Sequence, residues 1–373
     1  MKTIINSESN RPAPHAWRAL CLAAAFLLGF AVLPVSANRL AYFRTVPNTD
    51  FASAGVGAMR DTGSGVITLA GVTGAVTRAY LYWAGPMNSI NPTADAIVTV
   101  NNQMVVGVNI GISQDNCWGY LVCQAYRADV TALVQSRRNG SYNLSGFVKP
   151  GGININGASL LVFFNDSLTN NNRDMVLFDG NDSNAPSPHD DDGWNISLPG
   201  IRYKPGTARM QLHVSDGQTY LDEALVINGV TVMPRGNVFS GDTVPGANNG
   251  PGGLGRLWDI KNFNVAGFLS AVTNTLQTTH GYAIGNDCVD LVVVAIDLPA
   301  GAAPVVSNQP PTLVCATLFW HAVRFWHGEW INVSSDEKWI AAMGIIFPVS
   351  FFLLSLHFAL RVVIGPRSSR RIK

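Results

Sequence analysis

Residues 224–233 read Ala-Leu-Val-Ile-Asn-Gly-Val-Thr-Val-Met, which is two apolar runs joined by Asn228-Gly229. An Asn-Gly pair between two such runs is a strong signal for a two-residue β-hairpin turn. Asn139-Gly140 is a second pair of this type, and glycine is abundant, at 36 of 373 residues. The stretch therefore predicts an antiparallel hairpin, and the same pattern extends over most of the chain.

Short runs rich in Val, Ile, Leu, Tyr and Phe recur between clusters of Gly, Asn, Asp and Pro. Beside the hairpin, these runs are Ala79–Trp83, Ala96–Val100, Met104–Val108, Ser141–Phe147, Ala158–Phe164, Met175–Phe178, Met210–Val214 and Asp290–Ile296. Runs of this length and spacing are typical of antiparallel β-sandwiches. The predicted fold class is all-β.

The runs of the first half of the chain recur in the second half in the same order. Tyr80–Trp83, Val98–Asn102, Tyr126–Leu133 and Ser159–Phe163 are echoed by Met210–Val214, Leu225–Gly229, Phe263–Leu269 and Asp290–Val294. The echo predicts two tandem jelly-roll-like sandwich halves, which we place at residues 38–195 and 196–301. All-β sequences also echo one another by chance, so the sequence leaves that alternative open.

The C-terminal part of the chain predicts a membrane anchor. Trp339–Leu360 contains 22 residues without a formal charge, which span roughly 33 Å as a helix. We predict a transmembrane helix at residues 339–364. The basic tail at residues 365–373 indicates a cytoplasmic C-terminus, because positive residues flank membrane helices on the cytoplasmic side. The body before the helix is then extracytoplasmic.

The N-terminus agrees with export. Lys2, Arg11 and Arg18 precede the apolar run Ala19–Pro34, and small residues follow it. The pattern predicts a signal peptide at residues 1–37, with an uncleaved anchor as the alternative.

Two segments separate the body from the predicted anchor. Residues 302–311 are rich in Pro and predict a stiff linker. Residues 312–338 carry Phe and Trp with a few cations, which favours an interfacial segment on the outer leaflet. A second spanning helix is the alternative, but Arg324 within it would be costly in hydrocarbon.

The exported body is mildly acidic. Residues 38–311 contain 15 Lys and Arg against 20 Asp and Glu, whereas the whole chain has a net charge of +1. Such a surface repels phosphate backbones, so we expect no nucleic-acid partner.

Cysteine use suits an oxidising compartment. Cys117 and Cys123 are close in sequence, and their spacing predicts a local disulfide. Cys288 and Cys315 have no evident partner, which favours a buried or membrane-proximal thiol at each position.

One acidic stretch offers the oxygen atoms that hard cations prefer. The candidate calcium ligands are Asp179, Asn181, Asp182, Asp190, Asp191 and Asp192. An EF-hand is excluded, because its sixth-place Gly is missing and prolines lie inside the loop. A generic calcium site in a sandwich loop and a solvated acidic loop both fit the sequence. Calcium is the one cofactor that the sequence suggests.

Catalytic motifs are sparse. His189, His213 and His280 lie in the body, and no GxSxG elbow is present. The pairs Asp222 with Glu223 and Asp287 with Asp290 would serve acid and base roles if they converged in a cleft. Nothing in the sequence places them there.

The order of several motifs resembles a known family. The motifs are Arg78–Gly85, Val100-Asn101, Tyr126–Thr131, Asn139–Tyr142, Gly157–Val162 and Val176–Gly180, followed by Asp216–Gln218, Trp258-Asp259 and Asp287-Cys288. They are similar to the uncharacterised secreted β-sandwich domain at the N-terminal end of large bacterial surface proteins with tandem adhesin-like repeats. That family supplies no catalytic residue to transfer. This chain departs from it by following the sandwich body directly with a linker and an anchor.

Together these features predict a membrane-anchored, non-catalytic binding or adhesion module of the cell envelope. Its expected partners are the membrane, through residues 339–364, and a glycan or protein ligand outside the cell. The alternative is a glycan-active hydrolase, because two jelly rolls can form an acidic cleft between them.

Overall fold

The computed structural model describes residues 40–189, 193–246 and 255–304. The predicted signal peptide, linker, interfacial segment, transmembrane helix and basic tail lie outside the described residues, apart from the linker's first three positions. In the part of the chain that is described, no helix is long and apolar enough to cross a membrane. Antiparallel strands account for most of the ordered elements, which confirms the all-β prediction.

The strands form one nine-stranded sheet and two four-stranded sheets. The first part of the chain supplies β1 Ala41–Val56, β2 Gly65–Leu69, β3 Ala75–Met87, β4 Ile97–Val100, β5 Gln103–Val106, β6 Val108–Ser113, β7 Val122–Asp129, helix α1 Thr131–Arg137, β8 Gly140–Ser145 and β9 Gly157–Asn165. The second part supplies β10 Arg173–Ser183, β11 Trp194–Leu198, β12 Arg209–Ser215, β13 Leu225–Ile227, β14 Val230–Met233, β15 Trp258–Asn264, a 3-10 turn Ala266–Phe268, β16 Leu276–His280 and β17 Asp290–Pro299.

The sheet order repeats itself across the centre of the large sheet. That sheet runs β15-β12-β17-β10-β1-β9-β3-β7-β6, and the small sheets run β2-β8-β4-β5 and β11-β16-β13-β14. We number the strands of each half from 1 to 8, starting at β1 and at β10 and leaving out the edge strand β6. In both halves the part within the large sheet then has the order 1-8-3-6, and the small sheet has the order 2-7-4-5. This is the strand order of an eight-stranded jelly roll. The echo in the sequence therefore follows a repeated topology.

The boundary between the halves differs from the predicted one. β10 pairs with β17 and with β1, so it is the first strand of the second half. The second half thus begins at Arg173 rather than at residue 196. The Pro- and Asp-rich stretch after β10 connects the first two strands of the second half, as residues 57–64 do in the first.

Each half has its own apolar core between its large and small sheets. The first core centres on Trp83, Tyr126 and Phe147, and the second on Trp194 and Phe239. The predicted hairpin closes with Asn228 and Gly229 at φ 49° and 78°, the positive values that a type I′ turn requires.

A third cluster joins the two halves. Tyr82, Phe163, Leu177, Val293 and Trp258 pack together, and on β3 Tyr82 alternates with Leu81 and Trp83, which belong to the first core. Two glycines permit the close approach. A Cβ on Gly111 of β6 would lie 2.6 Å from the main-chain nitrogen of Asn181 on β10, and one on Gly157 would lie 2.7 Å from the Cβ of Trp258.

Candidate functional site

A pocket of about 150 Å³ lies where loops of the two halves meet. We call it the junction pocket. Its lining comes from the β6–β7 loop of the first half and from the segments after β12 and before β17 of the second. The lining residues are Asn116, Cys117, Trp118, Gln218, Tyr220, Asn286, Asp287 and Cys288. The pocket therefore combines two aromatic rings with three amides and one carboxyl group.

Trp118 is fixed by groups from both halves. Its indole Nε1 donates a hydrogen bond of 2.6 Å to Asp216 Oδ2. The guanidinium of Arg60 lies over its ring, 3.6 Å from the centroid, a distance typical of a cation–π contact. The ring is thus held in one orientation in the pocket wall.

Arg60 and Asp216 form a buried ion pair beneath the pocket. Their atoms Nη2 and Oδ1 are 3.0 Å apart, with side-chain exposures of 4% and 0%. Asn156 joins them, because its Oδ1 accepts from Arg60 and its Nδ2 donates to Asp216 Oδ1 at 3.1 Å. Burial raises the pKa of Asp216, and the charge of Arg60 opposes that shift. Since a guanidinium keeps its proton in proteins, we assign the carboxylate form to Asp216.

Asp287 is the acidic group of the pocket lining. Its Oδ2 accepts from the main-chain N–H of Gln218 at 2.9 Å, and its Oδ1 accepts from that of Cys288 at 3.1 Å. Burial, followed by the nearby charges of Asp216 and Asp222, raises the pKa of Asp287 to about 9. The carboxyl group therefore carries a proton in neutral solution, and the pocket lining is then uncharged.

The disulfide prediction is wrong in its pairing. Cys117 is bonded to Cys288, across a sequence separation of 171 residues, and Cys123 is a buried free thiol. Cys123 lies in β7 among core residues, whereas Cys117 lies in the loop that reaches the second half. The bond clamps the junction pocket from both halves.

The predicted calcium ligands are divided between strand and loop. Asp179, Asn181 and Asp182 lie in β10 and are buried at the junction of the halves, so the expected solvated loop begins only after them. Asp179 accepts from Tyr82 Oη at 3.0 Å and pairs with Arg127. Asn181 Nδ2 donates to Ser113 Oγ at 2.8 Å.

The remaining candidates, Asp190, Asp191 and Asp192, lie outside the described residues. Among the described ones, no group of three or more His, Cys, Asp or Glu side chains is placed to hold a metal ion. Calcium binding stays a prediction.

The other candidate catalytic residues do not converge. His213 is fully buried in β12, where its Nδ1 lies 2.8 Å from Ser159 Oγ, and burial lowers its pKa to about 3. His280 is buried between aromatic rings, and burial lowers its pKa to about 4. His189 is exposed.

Within each of the two carboxylate pairs, the two members have different environments. Asp222 accepts main-chain N–H bonds of 2.8 Å from Val238 and Phe239, while Glu223 pairs with Arg235 near the surface. Asp287 lines the pocket, whereas the fully buried Asp290 accepts from Ser113 Oγ at 2.9 Å.

Sequence reasoning missed most of the site. Trp118, Gln218, Tyr220 and Asn286 were not candidates, and neither was Arg60. The segments Asp216–Gln218 and Asp287-Cys288 appeared only as family-like motifs. One usable signal was Trp118 itself. A large aromatic residue in a polar, Gly-containing loop indicates either a packing contact or a ligand contact at that position.

Comparison with known proteins adds little. No family model matches the chain, and no curated protein matches it. A solved structure of peptide-N(4)-(N-acetyl-beta-D-glucosaminyl) asparagine amidase is similar over 73% of this chain and 99% of that one, with 13% identity and a TM-score of 0.20. A likeness at that score carries no argument about fold or function.

Proposed function

We propose that the chain is a non-catalytic binding module of the cell envelope that takes a polar ligand, such as a glycan, in the junction pocket. The observation that carries the proposal is the convergence of aromatic and amide side chains from both halves in one clamped pocket. Ligand sites combine apolar and aromatic walls with a few fixed polar groups. The junction pocket has this composition.

The chemistry of the lining suits a hydroxyl-rich ligand. Trp118 and Tyr220 offer apolar ring faces, and Tyr220 is 44% exposed. Asn116 is 2% exposed, its Nδ2 donates to the Cys288 carbonyl, and its Oδ1 has no hydrogen-bond partner among the described residues. Ring faces that suit C–H groups, in one lining with amide side chains, match a sugar.

The carboxyl groups support binding rather than turnover. Both oxygens of Asp216 and both of Asp287 already accept hydrogen bonds from the protein. Groups that are engaged in this way shape the pocket and hold its walls in place.

Binding to isolated envelope polysaccharide tests the proposal. Purified full-length protein should bind the polysaccharide, and Trp118→Ala should weaken binding about fivefold or more, because a stacked ring contributes about 1 kcal/mol or more. Val272→Ala is the matched control, since Val272 is 91% exposed and outside the pocket. Equal binding by Trp118→Ala and the control would contradict the proposal.

The location proposed for the module rests on residues 339–364. Protease added to intact cells or spheroplasts should degrade the body and spare a tag placed after Lys373. Permeabilised cells provide the control, because the tag should then be cleaved. A tag that external protease removes from intact cells would reverse the proposed orientation.

A glycan hydrolase is the second candidate, and the raised pKa of Asp287 favours it. A protonated carboxyl in a pocket is suited to donate a proton to a leaving group. If the protein is a hydrolase, wild type should release reducing ends from the bound polysaccharide, and Asp287→Asn should abolish release while retaining binding. A binding module releases none in either form.

A further inference from the structure

Lys149 and Asp95 form an ion pair that differs from the others described. Asp95, in the β3–β4 loop, is fully buried, and Lys149, in the segment between β8 and β9, is 31% exposed. The lysine Nζ contacts Asp95 Oδ1 directly. The other ion pairs that we describe use an arginine guanidinium. Here, in contrast, a primary amine meets a carboxyl group, and the two groups can react with each other.

Asp95 is held in place through its main chain. Its N–H donates to Tyr126 Oη at 3.2 Å, and its carbonyl accepts from Trp83 Nε1 at 3.2 Å. Within the described part of the chain, its Oδ2 has no hydrogen-bond partner. The main chain of Asp95 is therefore fixed in position, and among the described residues Lys149 is the hydrogen-bond partner of its carboxyl group.

The surroundings of Asp95 are aromatic. Trp83 stacks on Tyr126 with centroids 5.6 Å apart, and Phe147 meets the Trp83 ring edge-on at 5.6 Å. All three rings belong to the apolar core of the first half. Such surroundings solvate charges poorly and favour the neutral amine and the neutral acid. Burial accordingly lowers the pKa of the Lys149 amine.

We propose that Lys149 Nζ and Asp95 Cγ are joined by an intramolecular amide bond. The nitrogen lone pair attacks the carboxyl carbon and the new N–C bond forms. One C–O bond breaks, and its oxygen leaves as water with the acid proton and one amine proton. The step is a condensation, so it needs neither oxidant nor reductant. Holding two reacting groups in contact raises their effective concentration by several orders of magnitude.

The bond would tie the β3–β4 loop to the segment that precedes β9, closing a ring across 54 sequence positions. Unlike the disulfide, it would survive reduction. It is independent of the proposed binding function, since neither residue lines the junction pocket.

Mass spectrometry of purified full-length protein tests the bond. After reduction of the disulfide, the intact mass should lie about 18 Da, one water, below the value calculated from the sequence and the N-terminus found. Tryptic digestion should give a branched peptide that joins residues 79–127 to residues 139–173. Its fragment spectrum should place the branch at Asp95 and Lys149.

Two lysine variants complete the test. Lys149→Arg should show the full calculated mass and separate peptides, because a guanidinium does not condense with the acid. Lys261→Arg, a change at a lysine of the second half, should keep the deficit. An uncondensed wild-type mass, with the two peptides separate, would overturn the proposal. That result is informative whether or not either variant folds.

Discussion

At the scale of single residues, Arg60 places a buried positive charge beneath the junction pocket. It carries a charge that is 96% removed from solvent, and Asp216 supplies the compensating charge. Such pairs are weak evidence for stability, but a broken pair leaves one buried charge without a partner. The cost of losing one member therefore exceeds what the pair contributes as a whole.

A double-variant cycle measures this asymmetry. Arg60→Met should lower the free energy of unfolding by about 3–5 kcal/mol, because it leaves Asp216 buried and uncompensated. Adding Asp216→Asn should restore a substantial part of that loss. Denaturant titration of the full-length protein gives both values. Additive losses in the double variant would show that the two side chains act separately.

Asp287 and Asp222 make stability depend on pH, Asp222 up to about pH 7 and Asp287 up to about pH 9. Burial is the main cause that raises their pKa values, to about 9 and about 7. Because these values exceed those of the unfolded chain, the stabilisation is complete at low pH and is lost as pH rises through the folded values. The buried histidines act in the opposite direction, but only below about pH 6.5, where the unfolded chain gains their protons.

We therefore expect the free energy of unfolding to fall between pH 7 and 9. Each group contributes at most about 1.4 kcal/mol per pH unit, so the Asp287 part reaches roughly 2–3 kcal/mol. Denaturant titrations at several pH values check the slope. Asp287→Asn should flatten it, and a rise in stability over this range would contradict the assignment.

At the scale of elements, local pattern predicted the strands well. The runs at Ala79–Trp83 and Ala158–Phe164 lie in β3 and β9, because a buried strand needs an uninterrupted apolar stretch. β1 was missed. It is 16 residues long, and most of its positions are only partly buried or exposed, so its pattern is not apolar enough to be recognised.

Non-local pairing explains the other failures. Asp179, Asn181 and Asp182 resemble a loop in sequence, yet they continue β10. Tyr82 and Arg127 of the first half bond Asp179 there, and Ser113 bonds Asn181. Partners so distant in sequence leave no local signature. The bond between Cys117 and Cys288 was missed for the same reason, because the two residues are 171 positions apart in sequence.

Loss of the Cys117–Cys288 disulfide should change both stability and binding. Replacing Cys117 and Cys288 with Ser should lower the free energy of unfolding by about 2–4 kcal/mol, since the bond closes a long loop in the unfolded chain. Polysaccharide binding should weaken as well, because both cysteines line the junction pocket.

Cys123→Ala is the control for that variant. It should leave the Cys117–Cys288 linkage intact in a non-reducing peptide map and change binding little. Unchanged stability of the double serine variant would show that the packing at the junction holds the loops without the bond.

At the scale of the whole molecule, the two halves share a strand. The N-terminal part of β1 pairs with β10, from Ala41 opposite Asp179, and its C-terminal part pairs with β9, from Asp50 opposite Phe164. By strand order β1 belongs to the first half, yet its N-terminal part also pairs with β10, the first strand of the second half. The repeat was visible in the sequence, but this sharing was not, because β1 has no distinctive pattern.

Cooperative unfolding of both halves follows from β1, which pairs with strands of both, and from the third apolar cluster, which contains residues of both. Calorimetry of the full-length protein should give one transition for the sandwich body, with equal calorimetric and van't Hoff enthalpies. Ala158→Asp places an unpaired charge in the first core, which destabilises the first half. If the halves unfold together, the melting temperature should fall by the same amount for probes of either half. Fluorescence labels placed at Leu168 and Val272, both exposed, report on the two halves separately. Two resolved transitions, with only one of them shifted by the substitution, would mean that the halves unfold independently. One part of β1 would then lose its pairing while the other part kept it.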